Sequence, residues 1–242
     1  MPQSDLPSTS EPTLYDAYLD HMHTGTRDAI LTLINAAHQS QWPVVETSAF
    51  PTARTLSVCI NLYFRHFHET LPILQRSNFC AAETNPVLLL SITAIGAMYS
   101  RSCSRKLAVA LNELARRAIT YLRESDQRAM FDTCIVQAWL LQSVFALFCG
   151  SSMLYQHAEI SRGGLVTAAR RMHLLRSNLS FVEELERRRT SITAEELHRA
   201  YVKDEERRRL GWGIYVSCPR CLRGSKLNAR QRSYTTCKSH VC

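Results

Sequence analysis

The chain has 242 residues, is 45% hydrophobic and holds only eight glycines and eight prolines, which excludes general disorder and favours one sizeable core of long helices over many short strands. Its formal charge of +8 invites a nucleic-acid partner, but Arg220, Arg223, Lys226, Arg230, Arg232 and Lys238 sit in an acid-free tail from Ser217 to Cys242, and removing these six leaves only +2 for residues 1–216. A nearly balanced body gives no reason to expect direct DNA contact.

In chain order, residues 1–12 read as a flexible lead of Ser, Thr, Pro and acids, followed by short helices at Leu14–Met22 and Ala29–Ala37 and a loop at Trp42–Pro51. From Thr55, the apolar residues Leu56, Cys59, Ile60, Tyr63, Phe64 and Phe67 recur at three- and four-residue intervals, which lays one stripe along a helix that Pro72 is expected to end. Asn85-Pro86 opens the next helix, with proline in its first turn, and Val87–Tyr99 is apolar on nearly every side. Leu107, Leu111, Leu114, Ala118 and Leu122 mark an amphipathic helix whose other faces carry Arg105, Lys106, Glu113, Arg116, Arg117 and Arg123.

Asp132 is a cap for a largely apolar, central helix over Cys134–Cys149, which Gly150 can terminate. Ser151 caps a further helix reaching Leu175, with Gly163-Gly164 allowing close packing. Asn178–Ser191 is charged and reads as a loop. Thr193 and Glu196 then form a capping box for a helix through Leu197, Tyr201, Leu210, Trp212 and Tyr215. The reading is an all-α, irregular multi-helix bundle, with lead and short helices over 1–50, the main domain over 51–216 and a disordered basic tail over 217–242. The first twenty residues show no secretory signal. The longest apolar runs, Val87–Tyr99 and Ala138–Cys149, fall short of the roughly 20 residues of a membrane span, so no membrane partner is expected.

Four segments carry a resemblance. They are Leu62-Tyr63-Phe64-Arg65-His66-Phe67-His68 with Leu71-Pro72-Ile73-Leu74 and Phe79; Leu88–Ser100; Val136-Gln137-Ala138-Trp139-Leu140-Leu141 continuing to Cys149-Gly150 and Ala158-Glu159; and Glu205-Glu206-Arg207-Arg208-Arg209-Leu210-Gly211-Trp212. In this order, over roughly residues 50–216, they resemble the fungal-specific transcription factor (middle homology) domain. The third segment is nearest to versions that accompany two-Cys, two-His zinc fingers. The resemblance implies a nuclear, all-helical regulatory domain controlling RNA polymerase II transcription. It further implies that DNA is met by a zinc module absent from this chain, with coregulators or a small inducer as partners. It implies no cofactor in the helical body, with zinc expected only in that absent module. The family pattern stops near Val216, where composition also changes, so truncation, an unspliced intron or a frame change is expected, leaving the apolar helices at Val87–Tyr99 and Cys134–Cys149 short of cover.

Of the nine cysteines, Cys59, Cys80, Cys103, Cys134 and Cys149 lie scattered, mostly in apolar surroundings, and read as reduced thiols of an intracellular protein. Cys218, Cys221, Cys237 and His240 have a spacing able to hold a tetrahedral zinc. With the basic residues around them they define the rival reading, a small zinc-dependent nucleic-acid binder. Chance spacing in a non-native tail is the preferred account, and no metal ligand is assigned.

Arg207, Arg208 and Arg209 read as braces, one or two folding inward to pair with Glu159 or Glu206. His66 and His68 are two apart and share no helix face, and His157 and His173 read as surface or satisfied groups. Trp139 and Phe145 are core candidates. Arg162-Gly163-Gly164-Leu165 lacks the spacing of a phosphate loop. No set of residues is assigned to catalysis, and a helical enzyme is the least favoured class.

Overall fold

From α2 onward, each helix begins where a side-chain oxygen meets its unpaired amides. In this computed structural model, which describes residues 22–40, 42, 47–101, 103–175, 180–188 and 192–217, the elements are α1 (Thr24–Ala36), α2 (Ala53–His66), α3 (Pro86–Ala97), α4 (Arg105–Ser125), α5 (Thr133–Phe148), α6 (Ser152–Arg171), α7 (Phe181–Arg188) and α8 (Ala194–Ser217). No strand occurs among the described residues, so the all-α expectation holds. The lead over residues 1–12, the helix proposed from Leu14 and the tail beyond Ser217 lie outside the described residues.

Thr52, Asn85, Ser104, Asp132 and Ser151 accept from Thr55, Val87, Leu107, Ile135 and Leu154 amides at the starts of α2 to α6. At α8 the capping box is reciprocal: Glu196 N–H donates to Thr193 Oγ1 at 3.2 Å, and Thr193 N–H donates to Glu196 Oε2 at 3.1 Å. Gly150, at φ 75°, closes α5 in the left-handed region that suits glycine.

The core is organised around α3 and α5. Every residue of α3 from Val87 to Ala97 is buried, because α1, α2, α4 and α5 pack around it. Helix α5 is buried from Ile135 to Ser143 and again at Phe145 and Ala146, under α3, α4, α6 and α8. The expectation that these two helices lack cover is therefore overturned for most of their spans; Met98, Tyr99 and Phe148 are exposed at their ends, and Val144 and Leu147 of α5 are partly exposed.

Between α4 and α5, Asn112 and Gln142 are both buried and bonded twice: Gln142 Nε2 donates to Asn112 Oδ1 at 3.1 Å, and Asn112 Nδ2 donates to the Gln142 carbonyl at 3.3 Å. An amide pair satisfied in this way fixes the register of two otherwise apolar faces.

Two helices end short of expectation. Helix α2 ends at His66, well before Pro72, because the Tyr63 carbonyl accepts from both Phe67 N–H at 2.9 Å and His68 N–H at 3.0 Å and the chain turns there. This turn gathers Tyr63, Phe64, Phe67, His68 and Phe79 into one aromatic cluster. Helix α6 stops at Arg171, where His173 adopts φ 55°.

The stretch read as a loop over Asn178–Ser191 contains helix α7. Its cap is shared between a neighbour and a distant residue: Ser180 Oγ accepts from Glu183 N–H at 3.4 Å, and Asp204 of α8 accepts from Ser180 Oγ at 2.6 Å, Phe181 N–H at 2.8 Å and Val182 N–H at 3.2 Å. A carboxylate at a helix N-terminus satisfies orphan amides and the helix dipole together. Asp204→Ala is therefore expected to speed amide hydrogen exchange across α7 strongly, at a stability loss of about 1–3 kcal/mol. Exchange mapped by mass spectrometry checks this, and unchanged protection of residues 181–188 would refute the cap.

Candidate interaction surface

Three of the four sequence segments singled out above meet at the turn Leu71–Leu74. The Ile73 carbonyl accepts from Gln137 Nε2 of α5 at 3.3 Å, and the Leu74 carbonyl accepts from Arg209 Nη1 of α8 at 3.3 Å. A Cβ on Gly213 would lie 2.6 Å from Ile73 Cγ2 and 2.9 Å from Leu140 Cδ2, so a larger residue there would have to push these two side chains aside for α8 to seat this closely.

Two residues before Arg209, Arg207 donates to the Met172 carbonyl at the end of α6. Helix α8 is thus a clasp whose arginines hold backbone carbonyls of two distant segments. A guanidinium has donors enough to serve a carbonyl and a carboxylate together: Arg209 Nε also donates to Glu205 Oε1 at 2.7 Å, while the exposed Arg208 pairs with Glu205 Oε2 at 2.8 Å.

Two arginines do fold inward, as the sequence suggests, but their partners are corrected. Glu159 pairs within α6 with Arg162 at 2.6 Å. Glu206 is half-buried, and burial raises its carboxyl pKa against the opposing charge of Lys203. The local pattern could not identify these partners, because the carbonyl acceptors lie 35 and 135 residues away.

His68 faces the same region. Burial, then the charges of Arg209 and Arg76, lower its pKa, with Glu69 opposing. His66 stacks on Tyr99, centroids 5.2 Å apart at 17°, while His157 and His173 are exposed. Among the described residues, no three His, Cys, Asp or Glu side chains are grouped to hold a metal ion. Cys218, Cys221, Cys237 and His240 lie outside them. No helix among the described residues is long and apolar enough to cross a membrane.

Trp139 and Phe145 are buried, as expected. The Arg123 guanidinium carbon sits 3.9 Å from the Trp139 ring centroid, and a Cβ on Gly164 would lie 2.7 Å from Trp139 Cη2. The close packing expected of the glycine pair thus belongs to Gly164; a Cβ on Gly163 meets nothing within 4 Å.

Two hollows remain. One is lined by Ile34, Asn35, His38, Trp42, Leu114 and Arg117. Beside it Arg117 and Arg116 stand over the Trp42 ring, 4.8 and 5.8 Å from its centroid. Both also hold Glu113, at 2.9 and 2.7 Å. Burial pushes the Glu113 carboxyl up, but these two hydrogen bonds and charges outweigh it and hold the pKa below its usual value. The other hollow runs between α5 and α6, along Val144, Leu147, Ala158, Arg162 and Leu165 to Ser217. Neither places a nucleophile beside a base.

The outer face of α8 carries Tyr201, Arg208, Trp212 and Val216, at helical spacing. Tyr201, Trp212 and Val216 are 57%, 60% and 63% exposed, far more than their apolar character favours. Trp212 meets Tyr215 edge-on at 5.7 Å. Tyr, Trp and Arg are the side chains enriched where proteins bind one another, so this stripe is the candidate surface. The inner half of the fourth segment fastens the bundle while its outer half is presented to solvent.

The model of the family described as the fungal specific transcription factor domain matches residues 60–217. A protein of Gibberella fujikuroi named transcription factor is 22% identical over 131 residues, which is 54% of this chain and 17% of that protein. A nicotinate catabolism cluster-specific transcription factor of Emericella nidulans is 27% identical over 135 residues, 52% of this chain and 14% of that protein. The similarity thus spans less than a fifth of either relative's length. No solved structure matches the chain.

Proposed function

From the premise that this chain belongs to the fungal specific transcription factor domain family, we propose that it is the regulatory and interaction domain of a nuclear transcription factor controlling RNA polymerase II. In this reading the parent factor reaches DNA through a zinc module elsewhere. The helical body performs no catalysis, and its partners are coregulator proteins, or a small inducer bound between helices. The single observation that carries the reading is the division of labour within α8. Arg207, Arg209 and Gly213 are used up in packing, whereas Tyr201, Arg208 and Trp212 stand outward with no structural task of comparable size. Relatives named as transcription factors, and much longer than the matched segment, support it further.

The test tethers the 242-residue chain to an unrelated DNA-binding domain upstream of a reporter in a fungal host. A change in transcription is expected, with Trp212→Ala reducing it at unchanged protein level. Transcription identical to the untethered control would refute the regulatory role. A salt-resistant, site-selective shift of a DNA probe by the purified chain alone would refute the division between this domain and a separate DNA reader.

A further inference from the structure

Cys59 and Cys103 lie 44 residues apart in sequence, yet their sulfurs are 4.0 Å apart. Both are free thiols. Cys59 is buried in α2, on the face against α3, where its backbone carbonyl is pressed against Gly96. Cys103 is half-buried in the linker between α3 and α4, immediately before the capping residue Ser104, and its own amide donates to Ser100 Oγ at 3.3 Å. One thiol is therefore held by a helix crossing and the other by a short non-helical segment.

We propose that Cys59 and Cys103 form a reversible disulfide when the protein meets a peroxide oxidant, tying α2 to the entry of α4. A disulfide needs its sulfurs at about 2.05 Å, and the movement falls to the linker because the α2–α3 crossing leaves Cys59 no room to shift. Burial, followed by the neighbouring Cys103, pushes the Cys59 thiol up to about 12, so Cys59 stays protonated and hidden and does not meet the oxidant first.

Cys103 takes that step. Its sulfur attacks one peroxide oxygen, the O–O bond breaks, and the products are a sulfenic acid and water. The Cys59 sulfur then attacks the sulfenic sulfur, the S–O bond breaks, the Cys59 proton leaves with the departing oxygen as a second water, and the S–S bond forms. Two thiols are oxidised by two electrons and one peroxide is reduced. Cys149 is differently placed: its buried thiol donates to the Ala146 carbonyl of its own helix at 3.6 Å.

The experiment treats the reduced full chain with hydrogen peroxide, blocks remaining thiols by alkylation and maps the digest by mass spectrometry without reductant. A peptide pair joining Cys59 to Cys103 is expected as the main cross-link, and dithiothreitol should return both thiols to alkylation. The melting temperature should rise on oxidation by about 5–10 °C, since closing a loop of this length restrains the unfolded chain. Cys103→Ser should abolish both the cross-link and the rise. Recovery of both residues as alkylated thiols overturns the proposal. So does Cys103 found as sulfinic acid, or joined to any other cysteine while Cys59 stays free. The mapping of the unsubstituted chain decides even if the variant does not fold.

Discussion

Gly96→Ala is expected to destabilise the protein by more than about 3 kcal/mol, and to leave most of it insoluble when expressed. A Cβ at this position would lie 1.8 Å from the Cys59 carbonyl oxygen and 2.6 Å from its carbon. Those are backbone atoms of α2, so no rotamer change relieves the clash; one helix must move away from the other. The two helices pack together over much of their length, and Leu56, Ile60 and Tyr63 of α2 and Leu89, Ile92 and Thr93 of α3 are all fully buried.

Natural domains are stable by only about 5–15 kcal/mol, so such a loss falls in the range that unfolds them. Gly163→Ala is the matching control. A Cβ there meets nothing within 4 Å, and alanine is the better helix former by up to about 1 kcal/mol. Chemical denaturation of the pair should give opposite signs. A Gly96→Ala protein with an unchanged midpoint would mean that α2 and α3 do not cross as described.

Trp139→Ala is the second large effect, at about 3–5 kcal/mol. The indole is 2% exposed, with Gly164 against one part of it and the Arg123 guanidinium over its face. Its loss opens a cavity that a glycine on one side cannot fill. Arg123 is also stranded: its Nε is buried without a hydrogen-bond partner among the described residues, and burial already lowers its pKa. The ring face is the favourable contact available to that cation.

Trp212→Ala should instead stay within about 0.5 kcal/mol of the parent, because that indole is 60% exposed. Both variants are compared by thermal and urea unfolding. Equal losses at the two tryptophans would contradict the assignment of one to the core and the other to the surface.

Much of the fold is legible in the sequence because it is written in local terms. Caps at Asn85, Asp132, Ser151 and Thr193 lie beside the helices they start, and apolar stripes at three- and four-residue spacing name the buried faces of α2 and α4. Helix α7 is missed although Ser180 caps it locally, because its charged sequence hides that signal and the carboxylate that completes the cap, Asp204, lies 22 to 24 residues later. The end of α2 was misplaced because Pro72 is a conspicuous breaker, whereas a carbonyl at Tyr63 serving two amides leaves no mark in composition.

For the candidate surface the division is similar. The Arg207–Arg209 run can be seen, and its inward role can be inferred from charge balance, but its acceptors are main-chain oxygens, which every residue carries and no pattern distinguishes. That Trp212 faces outward on a helix whose neighbours Gly211 and Gly213 are buried follows from how α8 is seated, which is settled only by contacts with Leu174, Ile73 and Leu140.

The clasp also sets a timetable for synthesis. Leu74 leaves the ribosome 135 residues before Arg209, the donor to its carbonyl, and at about 5–20 residues per second that interval is roughly 7–27 seconds. During it α2, α3 and α5 have been made while the helix that fastens the Leu71–Leu74 turn has not. The nascent chain is then open to capture by chaperones, and slowing translation just ahead of the α8 codons would lengthen that exposure without altering a single amino acid.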